Sequence, residues 1–190
     1  MNQLILDNIA KHIQLEPNEA DYFLTLLKET KVKKNGVLLR PGDVCKTLTF
    51  VTSGCLRLYK TDADGKDHIL LFAPEGWWCT DSYSFYTRTP AEYGVDALED
   101  TTCLQITAEK LELLYKEVPK FERFFRILFQ NGFIMYQRRI TANTSLTAEK
   151  RYHRFKLTYP KLEQRIAQKQ IASYLGITPV FLSRLRKRNG

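Results

Sequence analysis

Hydrophobic and polar residues change their spacing twice along this chain of 190 residues. Over residues 4–29 the apolar positions recur at helical intervals, as do Ile5, Ile9 and Ile13, which predicts helices. Residues 31–107 instead alternate apolar and polar positions in short runs, which predicts strands. Beyond that segment the helical spacing returns and continues to the end of the chain. The pattern predicts an α+β protein in which helices flank a β-structure.

The predicted strands are short and regularly interrupted. Glycines recur every six to twelve residues from Gly36 to Gly76, and the turn sequences RPGD, TSG and PEG separate the apolar runs. The clearest hairpin is LRLYKTDADGKDHILLF at residues 56–72, where an Asp-Gly turn separates two alternating strands. Short strands at this spacing predict an antiparallel roll, barrel or sandwich.

Two helices are predicted directly after the strands, and the second is unusually long. Thr107 is suited to cap the first, and Pro119 opens the second, PKFERFFRILFQNGFIMYQRRITANTS. The apolar surface of the long helix is too wide to be covered by one sheet, so we predict that it pairs with its copy in a second subunit. Burial within one monomer is the alternative. The residues assigned to the dimer contact are Phe121, Phe125, Leu128, Gly132, Met135 and Tyr136.

The net charge of +8 is unevenly distributed along the chain. Residues 1–137 contain 16 Lys and Arg against 19 Asp and Glu, a net charge of −3. Residues 138–190 contain 13 Lys and Arg against 2 Glu, a net charge of +11. This asymmetry predicts a module that binds a polyanion, attached to a region that does not, and a solvated basic tail is the alternative.

The last segment, QKQIASYLGITPVFLSRLRKR at residues 168–188, has the spacing and the end signals of two short helices. Gly176 suits the left-handed residue that ends the first helix, Thr178 can cap the second, and Pro179 fits its first position. The apolar side chains expected to point inward from the second helix are Phe181, Leu182 and Leu185. Two such helices form a helix-turn-helix, which in a basic region predicts DNA binding and disfavours a disordered tail.

The second of these helices is expected to present its N-terminal side chains to base edges in the major groove. Arg184 has the geometry to donate two hydrogen bonds to a guanine, worth about 1–3 kcal/mol of discrimination. Basic residues elsewhere in the segment are expected to contact phosphates. The predicted DNA-binding residues are Gln168, Lys169, Gln170, Thr178, Pro179, Val180, Ser183, Arg184, Arg186, Lys187 and Arg188.

Several classes of protein are disfavoured. No apolar run approaches the roughly 18 residues of a membrane span, and the N-terminus lacks the pattern of a signal peptide, which favours a cytoplasmic protein with no membrane partner. A metal-dependent cupin needs two or more His, and only His68 lies among the predicted strands. We expect no catalytic residues, no metal and no cofactor. The cysteines lack a CxxC pair and are expected to be reduced, partly buried thiols: Cys45, Cys55, Cys79 and Cys103.

In this order of elements the chain resembles the Crp/Fnr family of bacterial transcription regulators, most specifically at residues 38–78, 97–107 and 168–188. The resemblance implies an N-terminal antiparallel β-roll of the double-stranded β-helix or jelly-roll type with flanking helices, a long central dimerisation helix and a C-terminal helix-turn-helix. It implies a homodimer, a palindromic operator with half-sites about 34 Å apart, and RNA polymerase as a further partner. The alternative is a ligand-sensing or adaptor dimer that does not bind DNA. The expected domains are 1–118 for the roll, 119–142 for the dimerisation helix, and 143–190 for the helix-turn-helix, with residues 141–147 as the hinge.

The chain departs from the family in its cyclic-nucleotide site. Members that bind cyclic AMP carry a Gly-Glu pair and, about ten residues later, an Arg-Ser-Ala run that holds the phosphate. Here Trp77 follows Gly76, and either Ala91 or Glu92 lies where the phosphate-binding Arg belongs, so we predict no response to cyclic nucleotides. Nearby aromatic residues either line a pocket for an apolar effector or fill the roll. The candidate effector residues are Trp77, Trp78, Tyr83, Arg88, Glu92 and Tyr93.

The predicted DNA reader departs from the family as well. Only Arg184 keeps the basic identity expected in the second helix. The β-wing that usually follows that helix is expected to be short or absent. The C-terminal residues Arg186, Lys187 and Arg188 are expected to take over the phosphate contacts of the wing.

Overall fold

Two antiparallel sheets form the roll in the structure, a computed structural model that describes the backbone of residues 2–189 and the side chains of residues 2–188. The strands in this range are β1 (Lys28–Val32), β2 (Val37–Leu39), β3 (Thr47–Ser53), β4 (Cys55–Thr61), β5 (Asp67–Pro74), β6 (Trp78–Cys79), β7 (Gly94–Ala97) and β8 (Thr101–Thr107). Their order is β1-β8-β3-β6 in one sheet and β2-β7-β4-β5 in the other. Every pairing is antiparallel, which confirms the predicted roll.

Helices precede, interrupt and follow the roll. Within the described backbone they are α1 (Asn2–Ala10), α2 (Pro17–Leu26), α3 (Ser82–Thr87), α4 (Ala108–Glu117), α5 (Lys120–Ser145), α6 (Ala148–Thr158), α7 (Gln168–Leu175) and α8 (Pro179–Asn189). A short 3-10 turn lies between α6 and α7 at Leu162–Gln164. The predicted N-terminal helical region ends earlier than residue 29, because Lys28 already pairs with Gln105 in the sheet.

Local capping signals set several of these boundaries. The hydroxyl of Thr107 accepts a hydrogen bond from the main chain of Lys110 at 3.3 Å, and Thr147 caps α6 in the same way. The prediction of a hinge over residues 141–147 is wrong in its extent, because α5 remains helical as far as Ser145. Only two residues therefore separate the long helix from α6.

The roll encloses the main hydrophobic core. On β4 the side chains of Leu56 and Leu58 point into this core, whereas Cys55, Arg57 and Tyr59 lie on the outer face, as strand alternation requires. The predicted hairpin is confirmed by the pairing of β4 with β5. The outer face of these two strands is not left to solvent, and the C-terminal helices cover it.

The first half of α5 belongs to the core of the roll. Phe121 and Phe125 are only 0% and 2% exposed, and Phe121 packs against Phe23 with ring centroids 4.7 Å apart. The prediction that these two residues contact a second subunit is contradicted, because both are already buried within one chain. A long helix can be apolar on several sides when one of them completes the core of the monomer. Farther along α5, Leu128 and Met135 are half-buried against the same core. The large apolar residues exposed on the second half of α5 are Phe133, Ile134 and Ile140.

All four cysteines are buried and unpaired. Burial raises the pKa of the Cys55 thiol to about 12 and that of Cys103 to about 11, so both remain protonated. In residues 2–189, no helix combines the length and the apolar character that crossing a membrane requires. Among the side chains described, no three metal-binding residues form a cluster.

A second apolar cluster joins the roll to the C-terminal helices. Phe72 on β5 lies at its centre, and its ring centroid is 6.1 Å from Phe155, 5.6 Å from Tyr159 and 5.3 Å from Tyr174. These partners come from α6, the residue after it, and α7. The C-terminal helices are therefore packed on the outer face of β5 through a shared core.

Candidate nucleic-acid interface and ligand cavity

Helices α7 and α8 are joined by a tight turn that the sequence encodes locally. Gly176 adopts φ 64°, in the left-handed region that favours glycine, and ends α7. The hydroxyl of Thr178 accepts a hydrogen bond from the main chain of Phe181 at 3.2 Å, and Pro179 is the first residue of α8. The predicted positions of both helices are confirmed. We refer to residues 168–188 as the α7–α8 pair.

One face of α8 is exposed and basic. Leu182 and Leu185 are buried beneath the helix, whereas Val180, Arg184 and Lys187 lie on the opposite side. The other predicted DNA-binding residues exposed around these helices are Gln168, Lys169, Thr178, Pro179 and Arg188. Phe181 is 44% exposed, so the prediction that it points inward is wrong. Its position is adjacent to the basic face, where an apolar side chain is free to contact another molecule.

Three of the predicted DNA-binding residues are placed less favourably. Gln170 accepts a hydrogen bond from Arg57 at 3.0 Å and therefore faces the roll, contrary to the prediction. Arg186 lies 3.8 Å from Glu163, which partly neutralises its charge. Ser183 is half-buried. The basic surface of α8 is consequently narrower than the sequence predicts.

Arg57 attaches α7 to the roll, a role that sequence reasoning missed. Its guanidinium donates to the two carboxylate oxygens of Asp96 at 2.7 and 2.8 Å, and it lies 2.9 Å from Asp67. Burial alone would lower the pKa of Arg57, but the hydrogen bonds and charge of Asp96 and the charge of Asp67 raise it on balance. The cation is thus retained in a nearly buried position and remains free to bind Gln170.

Other polar contacts fix the α7–α8 pair more directly on β5. The hydroxyl of Ser173 donates to the carbonyl of Asp67 at 2.6 Å and accepts from the main chain of Ile69 at 3.3 Å. Arg139 on α5 donates to the carbonyls of Ile69 and Tyr174 at 2.6 and 3.0 Å. Buried carbonyls need such partners. The helix pair is therefore held on the roll by hydrogen bonds as well as by apolar contacts.

Arg165 forms a further contact just before α7. It lies 2.8 Å from Glu75 and 2.5 Å from Glu99, two carboxylates at the edge of the roll. Hydrogen bonds to Glu99 and Glu75 raise the pKa of Arg165, so the guanidinium stays charged. No local sequence signal marks this arginine, because its partners lie 66 and 90 residues away.

A largely apolar cavity of about 550 Å³ lies between the roll and α5. Trp77 and Trp78, two of the candidate effector residues, line it. Trp78 also packs against Phe125 with ring centroids 5.5 Å apart and donates to Asn8 at 3.2 Å, so it fills part of the space. Burial raises the pKa of Tyr136 to about 12, which keeps a neutral hydroxyl in the cavity wall. The lining carries hydrogen-bonding groups and no acidic or basic side chain.

The other candidate effector residues do not join this cavity. Tyr83 is 63% exposed, and Arg88, at the left-handed end of α3, lies 3.6 Å from Glu109 on α4. Glu92 pairs with Lys60 at 2.6 Å on the outer surface. The remaining candidate, Tyr93, lies beside that pair with its ring centroid 5.9 Å from the Lys60 ammonium. The predicted set of six is therefore split, and only the two tryptophans share the cavity.

The loop around α3 is closed by its own hydrogen bonds. Asp81 accepts from the main chain of Ser84 at 3.1 Å and of Tyr93 at 3.4 Å. The hydroxyl of Ser84 accepts from the main chain of Cys45 at 2.8 Å and donates to the carbonyl of Thr89 at 2.6 Å. These buried groups satisfy one another, so the loop holds its shape without a ligand.

Residues 29–117 match the family model of the cyclic nucleotide-binding domain. The matched stretch spans less than half of the 190 residues. No curated protein matches the chain. The matched residues cover most of the roll and α4, and they include Trp77 and Glu92.

Solved structures similar to the whole chain are transcription regulators. The c-di-GMP-responsive global regulator CLP from Xanthomonas campestris is 17% identical, with a TM-score of 0.72, and the alignment covers 91% of each chain. FixK2 from Bradyrhizobium japonicum is 18% identical, with a TM-score of 0.73 over 85% of this chain and 83% of that one. A protein from Eubacterium rectale assigned to the Crp/Fnr family is 22% identical, with a TM-score of 0.69 over 92% and 83%. The chain has the fold of Crp/Fnr regulators, as predicted.

Proposed function

We propose that this protein is a dimeric, sequence-specific DNA-binding transcription regulator of the Crp/Fnr type. The observation that carries the proposal is the exposed basic face of α8, which bears Arg184 and Lys187. The roll covers α7 and leaves this face free. A helix-turn-helix reads DNA with the second of its helices in the major groove, which is the helix left exposed here.

The charges of the C-terminal region support the same function. Its net charge of +11 suits a surface that neutralises phosphates, whereas the rest of the chain, at −3, would be repelled by them. Arg184 is assigned to a guanine edge, and Lys187 and Arg188 are assigned to phosphates. Phe181 and Val180 add apolar surface next to Arg184, suited to the methyl group of a thymine.

Dimerisation is proposed through the exposed side of α5. Phe133 and Ile140 are 65% and 66% exposed in one chain, and covering them would remove apolar surface from water. To read neighbouring turns of a duplex, the proposed dimer has to hold the two copies of α8 about 34 Å apart.

The effector is proposed to be an uncharged, mostly apolar molecule bound in the cavity between the roll and α5. A cyclic nucleotide does not suit this chain, because no basic residue faces the cavity to hold a phosphate. Glu92, one of the two residues assigned to the position of the family's phosphate-binding arginine, is paired on the surface with Lys60. Trp77, which replaces the ribose-binding glutamate, is packed against Tyr159 with ring centroids 5.1 Å apart.

DNA selection followed by a salt series tests the proposal. Duplexes bound by the full chain are first selected from a random pool, and Kd is then measured by fluorescence anisotropy for three variants. Arg184→Ala is expected to weaken binding to the selected site by about 1–3 kcal/mol, roughly 5- to 150-fold, and to relax base preference. Lys187→Ala is expected to reduce the slope of log K against log salt by about 0.9. Lys116→Ala, an exposed basic residue on α4, serves as the matched control.

Two results would contradict the proposal. The first is the absence of any retained duplex at about 50 mM salt, where phosphate contacts are strongest. The second is equal loss of affinity in Arg184→Ala and Lys116→Ala, which would place the contact outside α8.

A further inference from the structure

A groove of about 660 Å³ lies between the second half of α5 and helices α6 and α7. It is distinct from the cavity between the roll and α5, although Asn131 and Met135 border both. Its walls carry basic and apolar side chains and no Asp or Glu. The four basic residues of the groove are Arg138, Arg139, Arg151 and Arg154.

None of these four arginines is neutralised by a carboxylate within residues 2–188. Arg151 donates to the carbonyls of Leu146 and Leu175 at 2.8 and 3.1 Å, and Arg139 likewise donates to main-chain carbonyls. A carbonyl orients a guanidinium without cancelling its charge. The Nε of Arg139 is buried and has no hydrogen-bond partner among the described atoms. Four positive charges therefore surround the groove, and two of them are held in fixed orientations.

Arg138 and Arg154 differ from the other two because they are exposed at the rim. Their donor groups are free to bind an anion entering from solvent. A guanidinium presents paired N–H groups that match the two oxygens of a carboxylate or a phosphate.

The groove also offers apolar surface beside these charges. Leu157 is 68% exposed and Ile134 is 43% exposed, while Phe155 and Leu175 form a buried part of the wall. Large aliphatic side chains this exposed are a poor match for DNA phosphates, which carry no apolar group to cover them. A ligand with both an anionic and an apolar part satisfies both kinds of surface.

We propose that this groove binds a small amphiphilic anion, namely a carboxylate or phosphate monoester that carries an apolar chain or ring. Its volume lies within the usual range of small-molecule sites, about 300–1,000 Å³. The anionic group binds Arg138 and Arg154, and the apolar part covers Ile134 and Leu157. The site goes beyond the proposed DNA binding and does not depend on it.

Calorimetry on the full chain without DNA tests this site. The probes are decanoate and decyl phosphate below their micelle concentrations, with decanol and inorganic phosphate as half-ligands. At least one of the two amphiphilic anions is expected to bind once per chain, and each half-ligand at least about tenfold more weakly, which corresponds to 1.4 kcal/mol. The comparison of decanoate with decyl phosphate distinguishes a carboxylate from a phosphate ligand.

The double variant Arg138→Ala/Arg154→Ala is expected to bind the preferred anion at least about tenfold more weakly. Leu157→Gln removes the apolar contact alone and is expected to weaken it while leaving the arginines in place. The matched control is Arg123→Ala/Arg126→Ala, two exposed arginines on the same helix that do not line the groove. Circular dichroism confirms that each variant is folded.

Five outcomes would overturn the proposal. Unchanged binding in the double variant, or decanol bound as tightly as decanoate, would place the ligand in the apolar cavity. Absence of binding by both amphiphilic anions would exclude the ligand class. Displacement of the anion by duplex DNA at a shared site would make the groove a DNA contact. Dissociation of a dimer in the double variant would assign the groove to a second copy of the chain.

Discussion

Replacing Phe72 with alanine tests whether the shared apolar cluster holds the C-terminal helices on the roll. Phe72 is fully buried on β5, and the three rings around it come from the C-terminal part of the chain. Removing a buried phenylalanine ring costs about 3–5 kcal/mol, and the lost aromatic contacts are included in that range. We expect the free energy of unfolding to fall by about 4 kcal/mol, a large part of the stability of a typical domain.

The loss should also appear at a defined place in the molecule. Because Phe72 contacts Tyr174 on α7, amide hydrogen exchange should accelerate most in Ile171–Leu175 and in α6. Chemical denaturation followed by circular dichroism gives the total loss, and exchange read by mass spectrometry locates it. Phe85→Ala, a buried ring on α3, is the matched control and should leave the relative protection of α7 unchanged. Tyr83→Ala, an exposed ring on α3, should cost less than about 0.5 kcal/mol.

The reasoning fails if Phe72→Ala lowers the free energy of unfolding by less than about 1 kcal/mol, because a cavity left in a shared core destabilises a protein by more than that. It also fails if α7 keeps its protection relative to the roll in this variant. Either result would mean that hydrogen bonds alone attach the helices.

Three further predictions concern charge, backbone conformation and ligand class. Burial alone would raise the pKa of Glu75, but the hydrogen bonds from Arg165 and from main-chain N–H groups lower it on balance. The ionised Glu75 therefore stabilises the folded state fully above the unfolded pKa of 4.5. This contribution is lost as the pH falls through the lower folded pKa. Urea denaturation of Glu75→Gln should accordingly show a flatter dependence of stability on pH below about 5 than wild type, whereas the exposed Glu117→Gln should match wild type. Gly176→Ala should destabilise the α7–α8 pair by about 1–2 kcal/mol, because an L-residue is strained at φ 64°. The added methyl group meets no atom within 4 Å, so the loss comes from the backbone, and thermal unfolding measures it. Titration with cyclic AMP or cyclic GMP should give no heat of binding. Micromolar affinity for either that persists in Arg138→Ala/Arg154→Ala would refute the assignment of the cavity to an uncharged ligand.

The sequence predicts the parts of this molecule that depend on neighbouring residues. The α7–α8 pair follows from Gly176, Thr178 and Pro179, since each specifies the conformation of its own position or of the next turn. The hairpin of β4 and β5 follows from strand alternation and a polar turn. These features need no knowledge of the rest of the fold.

The contacts between distant parts of the chain are the ones that sequence reasoning misses. Arg57 and Gln170 are 113 residues apart, and nothing in either segment identifies the other. The same holds for the long helix, where spacing reveals which residues are apolar but not which neighbour covers them. Phe121 therefore looks like an interface residue and is a core residue. Arg88 and Tyr83 are assigned to a pocket by proximity in sequence, yet α3 turns them outward.

The attachment of α7 to β5 has a mechanical consequence. Hydrogen bonds from Ser173 and Arg139 attach the α7–α8 pair to individual carbonyls of β5, so this pair cannot rotate freely about the end of α5. In a dimer, the distance between the two copies of α8 would then be fixed by the width of the two rolls. Any signal that alters this distance has to shift β5 or release the α7–α8 pair from it. A small shift of β5 would then produce a larger displacement at the far end of α8.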